Sequence, residues 1–343
     1  MRHLRHRTAR PGAALALTAA VSLVLAACGG ADDAEEPAAT GSSESSGSAP
    51  AEQVTVQAGV IPVVDVAVLY LGQEQGFFED RGITLNFNTG QGGAALVPSV
   101  VSGDYQFAFS NVISVMQARE QGLPLQIIAP AASSTGDPDF GINSIMVIDP
   151  AIQDAGDLAG RRIGVNTLNN LSEVMAKVAV EAAGGDPESV QLVELSFPDQ
   201  VTALSAGDID AFVCAEPFCS IAEDAGARVI ANPYDDLAPG EQIASSAYFS
   251  TEQAIAEDPD LFARLQEAIA ESQEYAQENP DEIRAQLPNF TTLDPALIET
   301  LRLPQFNGTV TGDELAALAD ASVQFGVLTE EPDLDQVVWT PGD

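Results

Sequence analysis

Short runs of alternating apolar and polar residues recur along the chain, and segments with helical spacing separate them. Residues 54–60 alternate and predict a strand, and the spacing over about 67–78 predicts a helix. The same succession continues to residue 129 and resumes at residue 145. Strands that alternate with helices of about 10–15 residues are typical of a mostly parallel sheet, so the pattern predicts an α/β fold.

The last part of the chain has a helical pattern instead of an alternating one. Leu261, Leu265 and Ile269 recur every four residues and mark one face of a helix. Further helices are predicted over about 294–302 and 312–326. We therefore expect a set of C-terminal helices to follow the α/β part.

Two stretches of the chain repeat each other weakly. Residues 101–109 and 204–212 both join a helix end to a strand through a glycine, and a polar turn follows each strand: Ser110-Asn111 and Ala215-Glu216-Pro217. Two similar α/β lobes would bring these turns to the carboxyl ends of their sheets, where ligands bind in open α/β folds. Any two strand–helix units look alike, however, so the repeat alone does not establish two lobes.

The first 27 residues predict a signal for secretion. Residues 1–10 are basic, and the apolar stretch from Gly12 to Ala27 is shorter than the roughly 20 residues that span a bilayer. It ends in Leu-Ala-Ala-Cys-Gly, which resembles the bacterial lipobox, whose cysteine is lipidated and becomes the mature N-terminus. Cys28 is therefore the expected lipidation site. The alternative is an ordinary signal peptide with an incidental cysteine.

Residues 28–53 predict a tether between this cysteine and the folded part. They are rich in Gly, Ser, Ala, Pro and acidic residues and contain no large apolar side chain. A flexible chain of this length has an average reach of about 28 Å. We therefore expect an extracytoplasmic protein that a lipid anchors to the bacterial cell membrane.

The charge of the chain is strongly one-sided. It has 51 acidic and 13 basic residues, a net charge of -38, and four of the basic residues lie among the first ten. Such a surface repels the phosphates of nucleic acids, so nucleic acid is excluded as a partner.

Beyond the signal, the chain lacks the residue types that many catalytic and metal sites need. The histidines are His3 and His6, the single lysine is Lys177, and no phosphate-loop motif occurs. This excludes histidine-dependent nucleophilic catalysis and zinc sites with histidine ligands. We expect no catalytic residues, no metal and no cofactor.

Four motifs in order resemble the nitrate, sulfonate, taurine and thiamine-pyrimidine branch of the type II periplasmic-binding proteins. Leu69–Ile83 carries Gly-Phe-Phe followed by Gly-Ile, and Gly103–Phe107 resembles the family's Gly-x-x-Asp-Phe element. Asp157–Val165 is similar to Asp-Leu-x-Gly-Lys-x-Val-Gly-Val, and Gly207–Pro217 is similar to Gly-x-Ile-Asp-Ala followed by Glu-Pro. Each motif is weak alone, but together they cover about 54–290.

The resemblance implies a solute-binding lipoprotein of an ABC importer, with two α/β lobes and a ligand cleft between them. Lobe 1 would comprise residues 54–140 and 246–343, the latter with the C-terminal helices, and lobe 2 would comprise 141–245. The chain would cross between lobes at Ser133–Ser144 and Gln242–Ser246. Its expected partners are a small-molecule solute and the importer's permease and ATPase subunits, and it is expected to be a monomer.

Two other functions are compatible with such a fold. One is a sensor or adhesin lipoprotein that presents its ligand to a membrane receptor. The other is an enzyme, because a related branch of the family synthesises thiamine pyrimidine with a histidine and a cofactor-binding lysine. With Lys177 on a predicted helix as the only lysine and no histidine in the folded part, that activity does not transfer.

The candidate ligand-binding residues follow predicted strands or open predicted helices. Their side chains or backbone N–H groups would face the cleft, or would serve only in turns and helix caps. Phe140, in the first crossing, would stack on a planar ligand or pack the hinge. The other candidates are Asp65, Gln91, Gly92, Gly93, Ser110, Asn111, Asn166, Thr167, Asn169 and Glu216.

The acidic candidates bear on the kind of solute. Asp65 and Glu216 have no evident Lys or Arg beside them, which suits an amino-bearing, zwitterionic, taurine-like or aminopyrimidine-like solute better than a free anion. Cys214 and Cys219 flank Glu216. They would form a disulfide in an oxidising compartment or remain two small buried thiols.

Overall fold

The computed structural model of the chain describes residues 53–137, 141–306 and 308–342. The predicted signal, Cys28, nearly all of the tether and Phe140 lie outside these ranges. Within them the strands form two five-stranded sheets, and none of the helices there has the length and apolar character needed to cross a membrane.

The first sheet belongs to lobe 1 and is built from two separate parts of the chain. Its strands in sequence order are β1 (Val54–Val60), β2 (Ile83–Thr89), β3 (Phe107–Asn111), β4 (Leu125–Ser133) and β10 (Ala244–Thr251). Their spatial order is β2-β1-β3-β10-β4. β1 pairs in parallel with β2 and β3, and β10 runs antiparallel between β3 and β4.

The second sheet belongs to lobe 2 and comes from one continuous segment. Its strands are β5 (Ile145–Val147), β6 (Arg162–Val165), β7 (Gln191–Glu194), β8 (Ala211–Val213) and β9 (Arg228–Ala231). Their spatial order is β7-β6-β8-β5-β9, with β6 parallel to β7 and β8. The first sheet has the same arrangement, since in each an antiparallel strand follows three parallel ones. The prediction of a two-lobed α/β fold is therefore confirmed.

Helices separate most of the strands, and a group of them follows β10. They are α1 (Ala67–Gln75), α2 (Gly93–Val101), α3 (Val112–Glu120), α4 (Leu171–Ala182), α5 (Phe197–Ala206), α6 (Phe218–Asp224), α7 (Pro233–Leu237), α8 (Glu252–Glu257), α9 (Pro259–Glu278), α10 (Pro280–Gln286), α11 (Pro295–Thr300), α12 (Gly312–Gln324) and α13 (Leu334–Val337).

The C-terminal helices are packed onto lobe 1. Helix α9 lies so close to α1 that a Cβ atom at Gly72 would fall 1.9 Å from Ser272 Oγ, which explains a glycine in the middle of α1. Farther on, Gln305 pairs with Ser133 and Val338 pairs with Ile127 along β4. These contacts cover part of a sheet edge that would otherwise present unpaired backbone groups.

Among the strands of the described residues, β10 is the one that the hydrophobic pattern did not reveal. All eight of its residues are buried, and small hydroxyl side chains stand beside aromatic ones. Because the strand lies between two neighbours and is covered on both faces, no alternation of apolar and polar positions is required.

Candidate functional site

A small cavity lies between the two lobes, beyond the carboxyl ends of β1 and β3 on one side and of β6 and β8 on the other. Its volume is about 40 Å³, enough for a few water molecules or a small head group. The lining residues are Ile61, Val63, Asp65, Gly93, Phe109, Asn111, Asn143, Asn166, Leu171, Ser172, Phe197, Ala215, Ser245 and Ser246.

Asp65 brings a carboxylate to the cavity from a short 3-10 turn that follows β1. Its Oδ2 accepts a hydrogen bond of 2.6 Å from Ser246 Oγ, at the start of β10. Burial raises the pKa of this carboxyl, and the Ser246 hydrogen bond opposes that effect only partly. Among the described residues that line the cavity, Asp65 is the only one with an acidic or basic side chain.

Asn166 supplies an amide from lobe 2, in the turn between β6 and α4. Its Oδ1 accepts hydrogen bonds from Asn170 Nδ2 at 2.9 Å and from Ser172 Oγ at 2.7 Å. The side-chain oxygen is thereby used within lobe 2, whereas its Nδ2 donates to none of the described residues. The Asn166 side chain, which lines the cavity, thus keeps its N–H donors for a ligand.

The N-terminus of α2 adds backbone donors from lobe 1. No side chain caps this helix, because its N-cap residue is Gly92. A Cβ atom at Gly93 would fall 2.3 Å from Ser110 Oγ, so only glycine allows β3 and α2 to approach this closely. Ser110 Oγ is buried there and lacks a hydrogen-bond partner among the described atoms.

Two further asparagines line the cavity but are held by local contacts. Asn111 caps α3, since its Oδ1 accepts from the Ser114 backbone N–H at 2.9 Å. Asn143 donates from Nδ2 to the Cys214 carbonyl at 3.1 Å and accepts from the Tyr234 hydroxyl at 3.0 Å. Both side chains are therefore fixed in place before any ligand arrives.

A second, more open pocket borders the cavity. It has a volume of about 380 Å³ and shares Asn166 with the cavity. Three predicted site residues, Gln91, Gly92 and Thr167, line this outer pocket and not the inner one. Asn169 lines neither. It is exposed, adopts a left-handed backbone with φ 51°, and donates its N–H to Glu173 Oε2 at 2.9 Å.

Glu216 lies behind the cavity wall instead of facing it. Its Oε1 accepts from Arg302 Nε at 3.0 Å and from Ser220 Oγ at 3.0 Å, and its Oε2 accepts from the Ser220 N–H at 3.2 Å. Burial raises the pKa of this carboxyl, and the Arg302 charge and these hydrogen bonds work in the opposite direction. An arginine therefore stands beside Glu216, which the sequence had not revealed.

The cysteines that flank Glu216 are paired. Cys214 and Cys219 form a disulfide with a sulfur–sulfur distance of 2.08 Å and a Cα–Cα distance of 5.2 Å. The bond closes a short loop that also contains Ala215, a residue of the cavity wall.

Several cavity residues were not among the predicted ones. Ser245 and Ser246 come from β10, whose position next to β3 has no local signal in the sequence. Phe109 and Phe197 supply aromatic surface, and Phe197 stacks on Phe218 with ring centroids 5.6 Å apart. The described residues contain no group of three His, Cys, Asp or Glu side chains arranged for a metal ion.

Comparison with known proteins places this architecture in a family. A Brucella abortus (strain 2308) protein named only as a binding protein is 23% identical over 298 residues, 81% of this chain and 88% of its own length. The formylaminopyrimidine-binding protein of Halalkalibacterium halodurans is 25% identical over 235 residues, 67% of this chain and 68% of its own length.

A solved structure has the same fold. The alkanesulfonate-binding protein of Xanthomonas axonopodis pv. citri bound to MOPS superposes with a TM-score of 0.69 at 18% identity, over 84% of this chain and 99% of that one. Residues 63–283, more than half of this chain, match the family described as NMT1/THI5 like. The chain therefore belongs to the NMT1/THI5-like family.

Proposed function

We propose that the chain is the extracytoplasmic solute-binding subunit of an ABC importer and that it captures a small amino-bearing solute between its lobes. The observation that carries the proposal is the interlobe cavity, in which Asp65 is the one ionisable group among the described lining residues. We also propose that it acts as a monomer. The solute would then pass to the importer's permease and ATPase subunits.

The carboxylate of Asp65 favours a solute with a protonated amine or an amino-substituted ring. A buried charge is stabilised by a partner of opposite sign and by hydrogen bonds, and Ser246 supplies only one side-chain donor. The Asp65 carboxylate would repel an anionic solute such as nitrate. The described lining contains no Lys or Arg to offset that repulsion.

Other groups of the cavity suit an acceptor on the same solute. Asn166 and Gly93 both line the cavity, and the Asn166 amide and the uncapped N-terminus of α2 are donors. A zwitterion such as an aminosulfonate, or an aminopyrimidine with ring nitrogens, offers both kinds of group. Two relatives support this choice by their names, since one binds formylaminopyrimidine and the other was solved with MOPS, itself an amine and a sulfonate.

A thermal-shift screen of the purified chain tests the proposal. The compounds are taurine, alkanesulfonates, nitrate, aminopyrimidines and polyamines. A ligand at about 100 times its Kd adds about 2.7 kcal/mol to the free energy of unfolding, a shift of several degrees. We expect shifts from amino-bearing compounds and none from nitrate. Tight nitrate binding without any response to amines would refute the proposed solute class.

We also propose that the protein is anchored to the membrane through a lipid on Cys28. The support is the lipobox-like sequence at residues 25–29 behind an apolar signal. Cells that express the chain are grown with labelled palmitate, and the protein is then separated by electrophoresis. Wild type should carry label and Cys28→Ser should not. Equal labelling of both would refute lipidation at this cysteine.

A further inference from the structure

The loop closed by the disulfide is held against lobe 1 at two points. We name residues 214–219 the latch loop. At its centre, the Glu216 carbonyl accepts a hydrogen bond of 3.0 Å from the N–H of Val64, which directly precedes Asp65. The side chain of the same glutamate accepts from Arg302 Nε at 3.0 Å. One residue of lobe 2 thus takes both a backbone and a side-chain contact from outside its own lobe.

Arg302 reaches the latch loop from a segment that is fixed to lobe 1. Three residues later, Gln305 exchanges backbone hydrogen bonds of 3.0 and 3.1 Å with Ser133, at the end of β4. The preceding carbonyl, of Leu301, accepts from Arg284 Nη2 at 3.0 Å. Hydrogen bonds therefore hold the backbone on both sides of Arg302, so its guanidinium extends from a fixed segment.

The contact is well formed and largely removed from solvent. The Glu216 side chain is 3% exposed and that of Arg302 is 24% exposed. Arg302 Nη2 also lies 2.9 Å from Glu223 Oε1 on α6, an ion pair without hydrogen-bond geometry, so the guanidinium lies near two acids of lobe 2. Hydrogen bonds between ionised groups are stronger than neutral ones, and loss of one partner leaves the other charge buried and unpaired.

We propose that Arg302 is a positioning residue that holds the latch loop against Val64 and so keeps the cavity closed. The arginine itself does not line the cavity, but Ala215 in the loop and the neighbours of Val64 do. Separation of the lobes has to break the Arg302–Glu216 pair together with the Val64 hydrogen bond. The consequence for solute retention rests on the proposed function, whereas the effect on lobe opening does not.

Amide hydrogen exchange at Val64 in the purified, solute-free chain tests this role. The Val64 N–H is bonded across the lobes, so its exchange reports their opening. Arg302→Gln should raise its exchange rate at least tenfold, and Arg302→Lys should give a smaller rise because it keeps the charge but loses the planar fork. Amides of β6 serve as the measure of global unfolding and should not change in parallel.

Arg81→Gln is the matched control. Arg81 is also 24% exposed and also contacts two glutamates, Glu267 at 3.4 Å and Glu271 at 2.7 Å, but both lie on α9 of the same lobe. Its loss should leave the Val64 exchange rate unchanged. A Val64 rate in Arg302→Gln equal to that of wild type would overturn the proposal, as would an equal rise in Arg81→Gln. Because no solute is needed, failure to find one would count against the proposed function alone.

Discussion

The cavity floor around Asp65 and the latch loop around Glu216 use a buried carboxylate in opposite ways. Both acids follow a strand that ends at the interlobe cleft, β1 for Asp65 and β8 for Glu216. Glu216 accepts two hydrogen bonds from Ser220 and one from Arg302. Asp65 accepts a single side-chain hydrogen bond, from Ser246, and lines the interlobe cavity.

The difference separates a binding group from a structural one. A carboxylate has about four acceptor positions, and burial penalises those that stay unfilled. The partners of Glu216 fill most of its positions from within the protein. The remaining acceptor positions of the Asp65 carboxylate are free for hydrogen-bond donors of a ligand in the cavity. Position at the end of a strand does not by itself decide which of the two roles an acid has.

Neutralisation of Asp65 should distinguish the two acids most clearly, because its effect on solute affinity should be large. Asp65→Asn should weaken binding of an amino-bearing solute about hundredfold, because a buried charged partner is lost, at about 3 kcal/mol. Isothermal titration with the best compound from the screen measures it. Glu216→Gln should weaken binding by less than tenfold. Equal losses in both variants would mean that the two acids do not differ in role.

Removal of the disulfide probes the latch-loop side. Replacement of both Cys214 and Cys219 by serine should lower the free energy of unfolding by about 2 kcal/mol, the chain-entropy estimate for so short a loop. Urea denaturation followed by circular dichroism measures the change. Reduction of the wild type should reproduce it and should leave the double-serine variant unaffected. Identical midpoints for reduced and oxidised wild type would contradict the structural role of the loop.

The pH dependence of the free energy of unfolding should show a smaller effect, and it tests the buried carboxyl of Asp65 in the cavity. Because burial raises the pKa of Asp65 above its ordinary value of 3.8, the folded chain binds a proton there more tightly than the unfolded chain does. Its contribution to stability is therefore complete below about pH 4 and is lost as pH rises through the raised pKa. Asp65→Asn should be more stable than wild type at pH 7, by about 1 kcal/mol.

That gain should shrink as the pH falls through the raised pKa of Asp65, because the wild-type carboxyl then takes up a proton and becomes neutral. Urea titrations at a series of pH values measure the difference between the two proteins. Burial also raises the pKa of Glu216, but this residue is present in both proteins. Its effect therefore cancels in the difference between their stabilities. A variant less stable than wild type at pH 7 would mean that the carboxylate is well solvated or fully partnered.

Much of the fold could be predicted from local patterns, and part of the site with it. Strands and helices follow from periodicity, and the two-lobed arrangement follows from the family resemblance that four short motifs carry. Of the candidate ligand-binding residues, Asp65, Gly93, Asn111 and Asn166 line the cavity, and their contact with a solute stays a prediction. In each case the signal and the position lie within a few residues of each other along the chain.

The remaining contacts depend on residues that are far apart in sequence. Ser246 is 181 positions from Asp65, and Arg302 is 86 positions from Glu216. No local pattern predicts that β10 enters the sheet between β3 and β4, or that the C-terminal segment folds back along β4. The partners of each acid, which decide its role, are therefore beyond reach of the sequence, which leaves open whether Glu216 faces a solute or caps the next helix.

The insertion of β10 between β3 and β4 also has a consequence for how the chain acquires its shape. All strands of the lobe 2 sheet come from residues 145–231. The lobe 1 sheet stays incomplete until residues 244–251 have joined it. Contacts between distant segments carry a larger loop-closure entropy and form later. Lobe 2 is thus free to fold first as a nested unit. The lobe 1 sheet is complete only after β10 has inserted between β3 and β4.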